Sequence, residues 1–278
     1  MKLSASRLAT FHQCRLKYHY AYHIKLPRPN VNPRTQLGII VHKALEIFYR
    51  EFHYQPLVLP TIEWLREAYE RAWQEHGKEI SGEEYDKLWQ AGWQGLNSYY
   101  QRHISTDGGK TGRFEPPFLV EQRFRARVLV AGNWITLTGR VDRLDWLDYS
   151  QATLRLIEYK TTKKTPNDKQ EIGFPIQLGF YQWAIQEVYG YGLREVSYHY
   201  VLAGKEYTYE CKPAHRQMIE RIAGLVVENE ELDEVEDSWQ AQVGAHCTNC
   251  EFRRYCAAAN PQAERPPLRR IPKQLKLF

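Results

Sequence analysis

Apolar positions along the chain keep a helical period as far as about residue 100, and beyond a glycine-rich stretch the period changes. Over residues 4–22, Leu8, Phe11 and Tyr18 give an apolar side behind a Ser4 or Ser6 cap, which predicts a helix. Residues 26–36 (LPRPNVNPRTQ) carry three prolines and read as a loop. Ile40, Ala44, Ile47 and Phe48 recur at helical spacing and predict a second helix over about residues 37–54. Residues 61–100 read as helix in two pieces, split near Gly77 to Gly82. Their aromatic stripe (Trp64, Tyr69, Trp73, Trp89, Trp93, Tyr99) reads as core, with a stacking platform for single-stranded bases as the sharper alternative.

After a polar, glycine-rich stretch at 105–117 the period becomes two. Residues 120–130, 133–142 and 154–160 predict strands, with a turn at 148–152. A helix over 175–189 follows, then a hairpin (195–202 and 206–211) around Ala203-Gly204, then a helix over 213–227. The expected fold is α/β: a central mixed sheet flanked by helices, in one domain over 1–260. It carries a helical insert at about 56–103, a cysteine segment near its end and a flexible tail over 261–278. Gly109-Lys110-Thr111 invites a phosphate-loop reading, but the first glycine of that motif would be residue 104, which is Ile104.

The net charge of +5 suits a phosphate polymer as partner without demanding one. No apolar run is long enough to span a membrane and the start lacks a signal-like apolar stretch, so a cytoplasmic, nucleoid-associated protein is expected. Five cysteines, an odd number, argue against a disulfide framework.

The candidate chemistry lies on two predicted strands. Gly139-Arg140-Val141-Asp142 closes one, and Ile157-Glu158-Tyr159-Lys160 closes the next. Alternation places Glu158 and Lys160 on one face, and hairpin pairing would let Asp142 reach the same point. Two converging carboxylates suit Mg²⁺ or Mn²⁺, and a lysine beside them can hold a water, as phosphodiester hydrolysis requires. The competing reading is a surface salt-bridge cluster. His42, on an early helix, could add a nitrogen ligand, which suits Mn²⁺ at least as well as Mg²⁺. Gln177 and Tyr181, four apart on a helix, could contact substrate or orient Lys160.

In this order, Gly38…His42, Gly139…Asp142, Glu158…Lys160 and Gln177…Tyr181 resemble the RecB-type branch of the PD-(D/E)XK nucleases. The opening LSASRLATFHQCRLKYHYAY is similar to the entry helix of that branch, including helicase-associated AddB nuclease domains. Arg15, where relatives often carry proline, is a departure. The resemblance runs from Ser4 to Cys256. It implies His42, Asp142 and Glu158 as metal ligands together with the backbone carbonyl of Tyr159, and Lys160 as the water-activating residue. It also implies a preference for single-stranded DNA and exonucleolytic cutting.

Cys247-x-x-Cys250 followed by Cys256 gives three thiolates, with Cys14, Cys211 or His246 as a fourth ligand; on spacing alone Zn²⁺ leads. The family resemblance implies instead a [4Fe–4S] cluster on Cys14, Cys247, Cys250 and Cys256 that staples the chain's ends, leaving Cys211 as a buried thiol. The final Gln274-Leu275-Lys276-Leu277-Phe278 resembles the peptide by which bacterial proteins dock on the β sliding clamp. Rival expectations are a CRISPR-adaptation exonuclease, the nuclease partner of a helicase, and a non-catalytic DNA-binding module.

Overall fold

The computed structural model describes residues 1–27, 33–54, 59–104, 116–165, 175–231 and 239–266. Six strands form one mixed sheet: β1 (Lys2–Leu3), β2 (Leu119–Val130), β3 (Asn133–Asp148), β4 (Thr153–Lys160), β5 (Gly192–Tyr200) and β6 (Lys205–Glu210). The order is β1-β3-β4-β5-β6, with β2 also paired to β3. β2, β3 and β4 form an antiparallel meander, β4 and β5 run parallel, and β5 and β6 close a hairpin. β1 adds parallel to β3 at Thr136 and Leu137. Two of the expected strand ends move. β3 does not end at Asp142 but continues to Asp148, whose carboxylate accepts from Ser150 Oγ (2.7 Å) and the Gln151 amide (3.1 Å) and so makes the turn. β5 stops at Tyr200, and a 3₁₀ turn over Val201–Ala203 precedes left-handed Gly204.

Helices cover both faces. On one side α1 (Ala5–Gln13), α6 (Pro175–Tyr189) and α7 (Pro213–Glu231) bury Leu8, Phe11, Phe180 and Ile219 against Phe124, Leu137, Leu156 and Val196 of the sheet. On the other, α3 (Pro33–Tyr54), α4 (Ile62–His76) and α5 (Glu83–His103) build a second core, joined to the sheet through Ile157 and Tyr159. Phe48, Tyr49 and Phe52 are fully buried there; each contributes on the order of 2 kcal/mol from removed apolar surface. Thr61 caps α4 by accepting the Trp64 amide, and Glu83, Glu84 and Asp86 favour the start of α5 through its dipole. Tyr69, Trp73 and Tyr99 of the aromatic stripe are core, and Trp64, Trp89 and Trp93 pack partly buried against them.

The single helix expected over residues 4–22 is interrupted. Cys14 is extended (φ −165°, ψ 116°) and separates α1 from the short α2 (Arg15–Tyr18), which runs into a π-helical turn over His19–His23. The break frees the amides of Arg15 and Leu16, which donate to Gln242 Oε1 (3.0 Å) and the Gln240 carbonyl (3.3 Å). Tyr20 and Leu26 pack with Phe252 and Tyr255, so the two ends of the described chain share a small core of their own. Among the described residues no helix is long and apolar enough to cross a membrane.

Candidate active site

The site forms where the β2–β3 ladder kinks. Val120 pairs with Arg143 and Gln122 with Val141; Glu121 and Asp142 fall between them. Glu121 has φ +47°, a conformation uncommon for a residue with a side chain. The alternation of faces slips there on both strands, because Leu119 and Phe124, and likewise Val141 and Leu144, enter the same core. Arg143, next to Asp142, turns the other way and lies over Tyr49 in the helical layer. The kink aims two neighbouring carboxylates, both on buried residues, at α3.

Both motif glycines bring elements close enough for this. A Cβ on Gly139 would lie 2.6 Å from the Phe124 ring, and one on Gly38 would lie 2.8 Å from Thr161 Oγ1. Gly38 therefore lets α3 press on the end of β4. One turn later His42 Nδ1 stands 3.5 Å from Asp142 Oδ2 and 3.7 Å from Glu121 Oε1. His42, Glu121 and Asp142 each offer a ligand atom, all within 4.8 Å of one another. Burial disfavours the charged imidazole, but the hydrogen bonds and charges of Asp142 and Glu121 outweigh it and raise His42 to about 10. Here the imidazolium supplies the positive charge that the paired carboxylates require. Both Glu121 oxygens are buried without a well-formed hydrogen bond, although Arg140 Nε lies 2.9 Å from one of them. Acceptors left open in this way fit a bound cation. Glu121 did not emerge from sequence: in an alternating strand a lone glutamate reads as a solvent-facing residue.

Asp142 also ties β3 to β4. Its Oδ2 accepts the Tyr159 amide at 2.9 Å, just beyond the point where the regular ladder begins at Arg143 and Ile157. The Tyr159 ring itself is buried in the helical layer. Glu158 and Lys160 do share a face: Lys160 Nζ donates to Glu158 Oε1 at 3.0 Å and lies 5.4 Å from the Tyr198 ring centre. Gln177 Nε2 donates to the same oxygen (3.2 Å) and Tyr181 OH to the other (3.4 Å), while Tyr198 OH holds Gln177 Oε1 at 3.1 Å. Gln177 and Tyr181 thus grip Glu158 rather than Lys160. Burial and the Asp142 charge raise the Glu158 carboxyl, against the opposing pull of Lys160 and His42. Glu158 feels the charges of both Asp142 and His42, and Glu121 joins them as a ligand candidate that the sequence did not single out.

In front of His42 and Glu121 opens a cleft of about 1130 Å³. Lys43, Lys87, Arg140, Lys163 and Lys164 line it together with Glu46 and Glu75, so cationic side chains outnumber acidic ones around His42 and Glu121. The excess of positive charge favours an anionic ligand over a cationic one.

A family model for the PD-(D/E)XK nuclease superfamily matches residues 2–257. The chain belongs to the PD-(D/E)XK nuclease superfamily. Among its members it is distantly similar to an ATP-dependent helicase/deoxyribonuclease subunit of Clostridium botulinum strain Hall, with 29% identity over 203 residues, 66% of this chain and 18% of the relative. The corresponding subunit from Carboxydothermus hydrogenoformans is 29% identical over 180 residues, 57% of this chain and 16% of the relative. The chain thus matches less than a fifth of the length of these relatives. The crystal structure of SSO0001 aligns over 93% of this chain and 87% of that one, at 15% identity and a TM-score of 0.41.

Two further clusters bear on the nuclease. His103, His199 and Glu206 also bring ligand atoms within 4.8 Å. Burial, with Arg102 and Arg143 nearby, lowers His103 to about 4 and His199 well below its ordinary value, and His199 Nε2 is engaged by Ser197 Oγ at 3.0 Å. A cation there would face two guanidinium groups. The remaining cluster is thiol. Cys14, Cys247, Cys250 and Cys256 line one small cavity together with His246, whose Nε2 is buried without a hydrogen-bond partner. Cys14 Sγ accepts the amides of Lys17 (3.4 Å) and Gln242 (3.5 Å), and Cys247 Sγ that of Gly244 (3.5 Å). Cys211 lies apart in the main core, its thiol pushed up to about 12 by burial and by Glu195 and Glu210. Gln274, Leu275, Leu277 and Phe278 lie outside the described residues.

Proposed function

We propose that the chain is a divalent-cation-dependent deoxyribonuclease that hydrolyses phosphodiesters, preferring single-stranded DNA and working from an end. The observation that carries this is the meeting of Asp142, Glu121 and His42 at the β2–β3 kink, with Glu158 and Lys160 on the adjoining strand, beside a basic cleft. His42, Asp142 and Glu121 would hold Mg²⁺ or Mn²⁺, with Glu158 and the Tyr159 carbonyl completing the ligand set. The bound cation supplies charge stabilisation at the phosphate and a lowered pKa for the attacking water. Lys160 Nζ hydrogen-bonds that water and places it. Gln177 and Tyr181 fix the Glu158 carboxylate, and Arg140 at the cleft wall takes a phosphate oxygen.

The cysteine cavity supports a [4Fe–4S] cluster on Cys14, Cys247, Cys250 and Cys256, because amides donating to sulfur are the hydrogen bonds such clusters receive. Zn²⁺, with His246 as a nitrogen ligand, is the alternative. The likeness to a helicase/deoxyribonuclease subunit supports a helicase partner, and the terminal peptide supports docking on the β sliding clamp.

The test is cleavage of DNA labelled at the 5′ or 3′ end, in Mn²⁺, by wild type and by Lys160→Ala. Metal-dependent shortening from an end by wild type alone supports the proposal. No cleavage of any DNA form by wild type defeats it and favours a non-catalytic DNA-binding module.

A further inference from the structure

The β2–β3 ribbon extends beyond the cleft and carries a row of arginines that the chemistry does not use. Arg123, Arg125 and Arg127 alternate with Phe124, Ala126 and Val128, which are buried in the core beneath α6 and α7. The three guanidinium groups therefore stand on the opposite face, exposed. Across the ladder, Arg123 faces Arg140, Arg125 faces Thr138, Arg127 faces Thr136, and Leu129 faces Trp134. Arg140 lines the cleft and is neutralised by Glu121 at 2.9 Å. None of the other three pairs with an acidic side chain of the described residues; Arg127 lies 5.1 Å over the ring of Trp134. Trp134 is 61% exposed and Leu129 59%, and together with Arg127 they border a cavity that Glu187 of α6 and Arg216 and Glu220 of α7 also line.

We infer that this ribbon is a track for single-stranded DNA, running from the cleft wall at Arg140 to a base-stacking end at Trp134. The inference rests on the nuclease reading of the cleft and adds to it where the uncut strand lies. Glu121 neutralises Arg140, but Arg123, Arg125 and Arg127 share one exposed face without an ion pair to a described carboxylate, and like charges in a row are unfavourable until an anion covers them. Alternate residues on a strand stand about 6.8 Å apart, comparable to successive phosphates of a stretched nucleic-acid chain. From Glu121 to Arg127 the ribbon covers about 20 Å, enough for about three nucleotides beyond the cleft. Thr136 and Thr138 add hydroxyl donors between the guanidinium groups. The selecting feature is Trp134: an exposed indole with a guanidinium on one face can stack a base only if that base is unpaired. A duplex keeps its bases inside and gains only the phosphate contacts.

The test is binding rather than cutting. In EDTA, a fluorescent 20-nucleotide single strand is titrated with wild type, Arg125→Ala/Arg127→Ala, Trp134→Ala and Arg221→Ala; Arg221 is exposed on α7, lines neither the cleft nor the cavity beside Trp134, and serves as a charge control. The double variant should weaken binding about tenfold or more and flatten the dependence of log affinity on log salt by about 1.4, since two phosphate contacts are lost. Trp134→Ala should weaken binding to the single strand and leave binding to a 20-base-pair duplex unchanged, and Arg221→Ala should match wild type. With Mn²⁺, hydrolysis of bis(p-nitrophenyl) phosphate, too small to reach the ribbon, should be the same in wild type and the double variant. Unchanged affinity and salt slope in the double variant, or tighter wild-type binding to the duplex than to the single strand, would overturn the track. If wild type hydrolyses no diester but the arginine effect persists, the track stands and the nuclease reading falls.

Discussion

Two of the three places where ligand-type side chains gather among the described residues are built in opposite ways. In the cleft, His42 is carried by a long helix and Glu121, Asp142 and Glu158 by paired strands, and bonds such as the Tyr159 amide to Asp142 fix the carboxylates. The cysteines sit at a helix break and in 3₁₀ turns (Ala245–Asn249, Arg253–Tyr255). Hydrogen bonds, the Lys17–Glu251 ion pair and a small apolar cluster around Tyr20, Leu26, Phe252 and Tyr255 join them to the start of the chain. The sheet imposes the first geometry whether or not an ion is bound. A group bound by the cysteines, as proposed, would reinforce the second, and the free energy of binding it would become free energy of folding. A ligand lost from the cleft should stop chemistry and spare the fold; one lost from the cysteine segment should do the reverse.

The largest expected effect tests the first half of that contrast. Asp142→Ala and Lys160→Ala should each lower Mn²⁺-dependent cleavage by about 10³-fold or more while leaving Tm within a few degrees of wild type; a collapse in Tm would show that the cleft is scaffold. Next, Cys247→Ser/Cys250→Ser should lose absorbance near about 400 nm and lower Tm by roughly 10 °C, as expected for on the order of 5 kcal/mol in a chain of this size. Cleavage per folded molecule should persist, and an unchanged Tm with a colourless anaerobic wild type would remove the cluster. Tyr181→Phe deletes one of the grips on Glu158 and should cost about tenfold in kcat, read from the initial rate at saturating DNA.

The smallest effect separates the cleft from the other histidine trio. Burial holds His103 at about 4 against its ordinary 6.5, so the unfolded chain takes a proton there that the folded chain refuses. This stability is present above pH 6.5 and is lost as the pH falls from 6.5 towards about 4. Thermal melts in EDTA should show the loss, and His103→Asn should flatten it; an identical slope in the variant would assign the acid sensitivity elsewhere.

Much of this was legible in the residues because it is periodic or lies in motifs. The two periods placed α3 to α7 and the longer strands, and the spacing of Gly38 to His42 and Glu158 to Lys160 marked the candidate site residues. Backbone events were not legible. The kink at Glu121 and Asp142 involves no glycine or proline at either position, so nothing local announced that β3 would bend and continue to Asp148. The same kink made Glu121 a neighbour of His42, which alternation alone could not foresee. The break at Cys14 escaped for a similar reason, since it is fixed by Gln240 and Gln242, more than two hundred residues away. The two-residue β1 is too short to carry a pattern.

The most direct measurement is a Mn²⁺ titration of the metal-free protein, followed by electron paramagnetic resonance, for wild type, Asp142→Asn and Glu121→Gln. The account predicts a tight site in wild type that disappears in Asp142→Asn and weakens about tenfold or more in Glu121→Gln. Full Mn²⁺ binding in Asp142→Asn would contradict it.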